Sequence, residues 1–302
     1  MTARPIQTVA VVGAGAMGAM YAAHFAAGGL TTWLVARGDR AERLRSPGLS
    51  VNGVPVAAEV VDPAGTVTTG PADLVVIAVK HHQLAEAIEE VAPLVGERTT
   101  FLSVLNGLDS EEAIARRYGA ERVLLCIALA MDAQRDGTSI TYRQAGRLAI
   151  GTGGGLGTAE RLVAVQVALD RAGLAWEAPA DMRHEMWWKF MVNVGINQAS
   201  AVIRAPYGRF RSEGPARSLM LALMAEVIAV AGAEGIDLGP ADLDTWHKVL
   251  AGQPPQGLTS MYQDVLAGRP TEVGIFAGRV VALGARHAIP TPYNQAMAWI
   301  LP

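Results

Sequence analysis

The chain has 302 residues, 51% hydrophobic and 18% charged, with 33 glycines, one cysteine and a formal net charge of −3. Soluble domains average about 25% charged and about 7% Gly, so this chain is apolar, charge-poor and glycine-rich, and its length suggests roughly two domains. These figures exclude a disordered chain, a disulfide-stapled miniature and a collagen-like polymer, and no basic run interleaves with aromatics as a nucleic-acid surface would need.

From Pro5 to Ala36 there is no Asp, Glu, Lys or Arg. A spanning helix needs about 20 apolar residues, but glycines 13, 15 and 18 and the pair Gly28-Gly29 interrupt this stretch. No small-residue cleavage pattern follows a compact apolar core, so neither a membrane span nor a secretory signal is expected. Ile6 to Val12 instead predicts a buried parallel strand. Gly13-Ala14-Gly15-Ala16-Met17-Gly18 follows, then an alanine-rich helix ending at Gly28-Gly29, and a second strand over Thr31 to Val35.

Strand, GxGxxG, helix and strand form the context in which this motif binds a dinucleotide. Gly13 permits the tight turn, Gly15 lets a pyrophosphate approach the backbone, and Gly18 allows close helix–strand packing. The phosphates would lie on the helix N-terminus, at Ala16 and Met17. NAD enzymes usually end the second strand with an acid that bonds the ribose 2′-hydroxyl. Here the sequence is Val35-Ala36-Arg37-Gly38, and Arg37 can stack on adenine and pair with a 2′-phosphate, which predicts NADPH.

A short helix is expected over Arg40 to Arg45, and β structure over Leu49 to Val61 with an Asn52-Gly53 hairpin turn. Leu74 to Val79 predicts a buried strand that stops at Lys80, with a helix carrying Glu86, Glu89 and Glu90 after it. Thr99 to Val104 is the next strand, ending at Asn106-Gly107, and Asp109 caps a further helix. Val123 to Met131, Ser139 to Arg143 and Arg147 to Ile150 are expected to complete the sheet. Cys126 reads as a small buried hydrophobe in a reducing compartment. The glycine cluster at 151–157 lacks the strand–helix context and reads as a loop. A helix from Thr158 and a strand over Leu174 to Glu177 close an α/β domain at about residue 179.

Beyond it, apolar spacing near 3.6 predicts helices over Met182 to Ser200, Ala216 to Glu234, Asp242 to Leu250, Ser260 to Leu266 and Val273 to Arg286, punctuated by prolines. The fold class is therefore α/β. A Rossmann-type dinucleotide-binding domain (1–179) precedes an all-helical domain (180–302).

Ligands of open α/β sheets bind outside the carboxyl ends of the strands, where Lys80 and Asn106 stand. Lys189, Asn193 and Asn197 are spaced four apart and line one helical stripe. Asn is a poor helix former, so two on the stripe of a single lysine suggest a lysine proton donor flanked by amides that orient a carbonyl. Burial would lower that lysine's pKa toward working pH. Ser260, at a helix start, reads either as a hydroxyl with free amides for a carboxylate or as an N-cap. Glu272 reads either as dipole decoration or as a tuner of the lysine's proton transfer. His81-His82 lacks a carboxylate or Cys partner at ligand spacing, so no metal site is expected.

In GAGAMG (13–18), Val79-Lys80 with Gln83, Asn106-Gly107, the Lys189, Asn193, Asn197 spacing, TSMYQD (259–264), Thr271-Glu272 and PTPYN (290–294), the chain resembles the ketopantoate reductase (2-dehydropantoate 2-reductase) family over essentially its whole length. The resemblance implies a cytoplasmic, NADPH-dependent reductase that converts a 2-keto acid, ketopantoate first, to a 2-hydroxy acid in pantothenate biosynthesis. It implies Lys189 as the acid assisted by Glu272, with Asn193, Asn197 and Ser260 on substrate and Lys80 and Asn106 placing cofactor and substrate. In the family, substrate is closed in a cleft between the two domains. A homodimer is compatible with the apolar second domain. The stretch after Glu272, commonly Asp-x-x-Asn-Gly in the family, reads Val273-Gly274-Ile275-Phe276-Ala277-Gly278 here, and Gln256-Gly257 stands where a substrate-binding Asn occurs. Those departures leave open a paralogue acting on another keto acid or ketone. A non-catalytic NADP(H)-binding regulator is the rival of a different class.

Overall fold

Short β-branched runs become strands here because both of their faces are covered, so an unbroken apolar sequence is stable only in the middle of a sheet. A computed structural model describes residues 4–46, 48–65 and 69–301. It divides into two compact units, Met1–Met182 and Arg183–Pro302.

The first unit opens with β1 (Thr8–Val12), α1 (Ala16–Ala27), β2 (Thr31–Val35) and α2 (Gly38–Arg45). Then come β3 (Ser50–Val51), β4 (Val54–Pro55), β5 (Glu59–Val61), β6 (Leu74–Ile77), α3 (Leu84–Glu90), β7 (Thr100–Ser103) and α4 (Ser110–Tyr118). It closes with β8 (Val123–Leu129), β9 (Gln134–Asp136), β10 (Ser139–Thr141), β11 (Arg147–Gly151), α5 (Ala159–Arg171) and β12 (Ala175–Glu177). The main sheet runs β12-β11-β8-β7-β6-β1-β2-β5, and only the β8–β11 pairing is antiparallel. All of β6 and β7 is buried, and every residue of β1 beyond its first. The lone Cys126 is 1% exposed within this core.

One expectation fails in this unit. Ser139 to Arg143 does not complete the main sheet: β10 joins β9, β3 and β4 in a separate four-stranded sheet. Strands of two or three residues carry too few alternations to reveal which sheet they join. The Asn52-Gly53 turn does form, with φ of 49° and 81°, the two positive values that a two-residue hairpin demands. The 151–157 glycines make a loop closed by the Gly153–Leu156 bridge.

The second unit is helical: α6 (Met182–Val192), α7 (Gln198–Ile203), α8 (Pro215–Ala233), α9 (Pro240–Gly252), α10 (Ser260–Leu266), α11 (Ala277–Arg286) and α12 (Pro292–Ile300). The helix expected over Met182 to Ser200 is divided. Asn193–Asn197 form a π-helical turn between α6 and α7. The last predicted helix is divided too: Val273–Ile275 form a 3-10 turn, and α11 begins only at Ala277. The sequence reading missed α12 and the 3-10 turn Tyr207–Phe210.

α8 is apolar and long enough to cross a membrane by length and composition. It nevertheless buries Met220, Leu223, Met224, Val227 and the carboxylate-bearing Glu226. That buried carboxylate receives three N–H donors from Tyr293 and Asn294 of α12, which marks α8 as a core helix.

Candidate functional site

In the first unit the candidate residues gather at one sheet edge. The parallel registers align Ser103 with Ile77, Ile77 with Val12, and Val12 with Val35. The segments leaving β7, β6, β1 and β2 therefore emerge from the same carboxyl edge. Those segments carry Asn106, Lys80, the glycine turn and Arg37. β1 is flanked by β6 on one side and β2 on the other, so this edge includes the topological switch point where open α/β sheets bind ligands.

The glycine turn has the geometry the motif predicts. Gly13 lies at φ +100°, and a Cβ there would stand 2.7 Å from the Ala78 carbonyl oxygen. A Cβ on Gly18 would stand 1.9 Å from the Gly13 oxygen, so only glycine lets α1 pack this closely on the turn. Gly15 faces open space, with nothing within 4 Å of its Cβ position. The first amides of a helix lack intrahelical acceptors, and the first turn of α1, beginning at Ala16 and Met17, carries no acid. A cradle of this shape, open at Gly15 and free of negative charge, fits a dinucleotide pyrophosphate.

Arg37 follows β2, is 46% exposed at its side chain, and pairs through Nε with Glu90 of α3 at 3.1 Å. Burial pushes the Glu90 carboxyl up, and the Arg37 charge opposes that shift. Beside Arg37, the Gly38 amide donates to Asp62 at 3.0 Å. Lys80 is exposed, and its backbone amide donates to the Gln83 side chain at 3.3 Å. Asn106 is half-buried. Sequence reasoning missed Arg135 of β9, whose guanidinium donates to the Ala14 carbonyl inside the glycine turn. A single arginine on a short exposed strand carries no signal of this in the sequence. Among the described residues no cluster of metal-ligating side chains occurs.

In the second unit, Lys189 is half-buried near the end of α6, and Asn193 and Asn197 bound the π-turn. The two amides remain neighbours, with Asn197 Nδ2 donating to Asn193 Oδ1 at 3.4 Å. Gly195, between them, is needed for packing: a Cβ there would meet Met224 side-chain carbons at 2.5 Å. Isolated π-turns within α-helices are frequent at functional sites.

Ser260 is exposed at the first position of α10 and is not its cap. Thr259 fills that role, its hydroxyl accepting from the Tyr262 amide at 3.2 Å. The same hydroxyl lies 2.6 Å from that of Ser200 in α7, a link that ties the segment bearing Ser260 to the end of the π-turn. Glu272 is half-buried and immediately precedes the Val273–Ile275 turn, so the first turn of the α-helix lies five residues beyond it. Of the departures from the family pattern, Gly274 stands exposed in place of the Asp and Ala277 buried in place of the Asn, and between them Phe276 packs on Phe190 with ring centroids 6.3 Å apart. Neither departure carries the polar side chain of the pattern.

The ketopantoate reductase family (PanE/ApbA) matches residues 9–155, and its C-terminal part matches residues 181–301. The 2-dehydropantoate 2-reductase of Mesorhizobium japonicum is 29% identical, over 96% of this chain and 95% of that protein. The solved 2-dehydropantoate 2-reductase of Geobacter metallireducens superposes with a TM-score of 0.83 at 29% identity, covering 97% of this chain and 98% of the other. A D-mandelate dehydrogenase solved with NADH and anilino(oxo)acetate shares the fold, with a TM-score of 0.85 at 21% identity over 97% and 96% of the two chains. With both parts of the family pattern matched in order, and the glycine turn formed at the switch point of the sheet, this chain is an oxidoreductase that belongs to the ketopantoate reductase family.

Proposed function

We propose that this protein reduces a 2-keto acid to the 2-hydroxy acid with NADPH, ketopantoate to pantoate first among candidates. The observation that carries the reading is Lys189 near the end of α6, followed by a π-turn bounded by the neighbouring amides of Asn193 and Asn197. The family relationship supplies the reaction class.

NADPH, when bound, supplies the hydride. Gly13, Gly15 and Gly18 shape the turn that would receive its pyrophosphate, the first amides of α1 at Ala16 and Met17 would neutralise it, and Arg37 would take the 2′-phosphate. Lys80 and Asn106, at neighbouring strand ends, would hold the nicotinamide end. As the substrate carbonyl is reduced, its oxygen gains negative charge, and the Lys189 ammonium gives it a proton, so that the hydroxy acid leaves neutral at that oxygen. Asn193 and Asn197 donate amide hydrogen bonds that orient the carbonyl. The exposed Ser260 hydroxyl, unoccupied by capping, is suited to the substrate carboxylate. Glu272 assists the lysine in recovering its proton.

A second substrate reading rests on Gly274 and Ala277, which lack the Asp and Asn of the family pattern: a keto acid with a more apolar side chain than ketopantoate. A panel of 2-keto acids, followed by loss of NADPH absorbance, tests both. Turnover of ketopantoate or of another 2-keto acid is the expected result. No NADPH oxidation with any member would favour the non-catalytic regulator.

A further inference from the structure

The polar side chains with the deepest burial in the second unit lie behind the polar stripe and have no part in the chemistry just described. Gln198 and Asn294 are each 0% exposed, and Ser200 and Thr259 are 0% and 1% exposed. Buried polar groups are costly unless every hydrogen bond is made, so a satisfied cluster specifies one arrangement of the segments it joins.

Gln198 is the junction. Its Nε2 donates to the Val194 carbonyl inside the π-turn at 2.8 Å and to Asn294 Oδ1 at 3.1 Å. Its Oε1 accepts from the Ala277 amide at 3.1 Å, at the start of α11 and a few residues after Glu272. Asn294 is itself fixed, with Nδ2 donating to Glu226 Oε2 at 2.7 Å. The other end of the π-turn has its own link. The Ser200 hydroxyl donates to the Asn197 carbonyl at 3.1 Å and shares a 2.6 Å bond with Thr259, the residue before Ser260. One side-chain bridge therefore runs from the π-turn toward the Glu272 segment, and a second runs from it to the Ser260 segment. Both grip backbone carbonyls of the turn that holds Asn193 and Asn197.

We propose that Gln198 and the Ser200–Thr259 pair are positioning residues that hold the π-turn asparagines in register with the segments bearing Glu272 and Ser260. They touch neither substrate nor cofactor. This inference rests on the reductase reading, since register matters only if those segments act on one substrate. Misplacing a reacting group by about 1 Å can cost about a hundredfold in rate, and loss of one bridge leaves each segment folded but free to shift.

The test compares Gln198→Met, which keeps the bulk and loses both arms, with Ser200→Ala, which removes one hydroxyl and leaves Thr259 to cap α10. Thr259→Ser serves as the conservative rescue and Lys189→Ala as the control. The readouts are NADPH affinity by fluorescence titration, kcat and KM for the keto acid turned over fastest, and cooperative thermal unfolding. The expected result is unchanged NADPH affinity with kcat/KM lowered by about 10- to 100-fold in Gln198→Met, a smaller loss in Ser200→Ala, and wild-type kinetics in Thr259→Ser. A purely structural role would lower the unfolding temperature and leave kcat/KM of the folded enzyme intact. Wild-type kcat/KM in Ser200→Ala and in any Gln198→Met that folds, beside an inactive Lys189→Ala, overturns the positioning role. If Gln198→Met does not fold, the Ser200→Ala and Thr259→Ser pair decides alone. An active Lys189→Ala overturns the reductase mechanism, and this inference falls with it.

Discussion

Arg37 shows how much one residue decides. It follows β2, where an acid would select a ribose hydroxyl, and it remains half-exposed although Glu90 holds its Nε. In the NADPH reading, the terminal nitrogens beside that Nε would meet the 2′-phosphate, since a guanidinium has five N–H donors. A hydrogen bond to a charged group is worth about 1.5–3 kcal/mol, and each 1.4 kcal/mol is about tenfold in affinity. Arg37→Ala should therefore weaken NADPH binding by about 10- to 100-fold while moving NADH binding by less than about twofold. Fluorescence titration with the two nucleotides checks this, and equal losses for both would assign Arg37 to adenine alone. At this scale the turn made by Gly13 and Gly18 was legible because it depends on local backbone geometry. Arg135 was not legible, because a fold separating it from Ala14 by 121 positions brings it to the glycine turn.

Among elements, legibility follows the source of stability. β1, β6 and β7 declare themselves as apolar runs because burial alone makes them strands. The π-turn does not. Asn193 and Asn197 are four apart, as in an ordinary helix, and the wider turn coincides with a close approach from elsewhere, Gly195 against Met224, and with the local side-chain bonds of Gln198 and Ser200 to its carbonyls. Likewise α12 is short, and the N–H groups at its start are satisfied by Glu226, 67 and 68 positions earlier. Ser260 was placed correctly at a helix start, but the capping fell to its neighbour Thr259.

The ends of α8 and α11 meet through Glu234 and His287, 2.6 Å apart. The hydrogen bond from His287 holds the Glu234 carboxyl below its ordinary value of 4.5, with Arg286 adding to the effect and burial opposing it. A depressed carboxyl stabilises the fold above its unfolded pKa and loses that contribution as pH falls through the folded value. Glu234→Gln should thus cost up to about 1 kcal/mol at neutral pH, because both side chains are partly exposed. The difference from wild type should vanish as pH falls below about 4.5 toward the lowered value. Denaturant titrations of the two proteins across that range measure it, and a pH-independent difference would mean that the pair contributes by packing.

For the molecule as a whole, the order of elements was more legible than their assembly. An α/β unit followed by a helical unit emerged from apolar periodicity, and the charge-free stretch from Pro5 to Ala36 became a buried strand, a glycine turn and a helix. The small second sheet was not foreseen, because it joins β3 and β4 to β9 and β10 some 80 positions later through strands of two or three residues. The placement of Lys80, Asn106 and Arg37 after strand ends and of Asn193 beside Asn197 was legible, while the hydrogen bonds of Gln198 and Ser200 to the π-turn were not.

In the proposed reaction Lys189 protonates the carbonyl oxygen of a 2-keto acid during NADPH oxidation. Parallel measurement of NADPH affinity and of steady-state turnover in wild type and Lys189→Ala tests it most directly. General acid catalysis contributes about 10²–10⁴-fold, so turnover should fall by that much with NADPH affinity nearly unchanged. Wild-type turnover in Lys189→Ala would contradict the account.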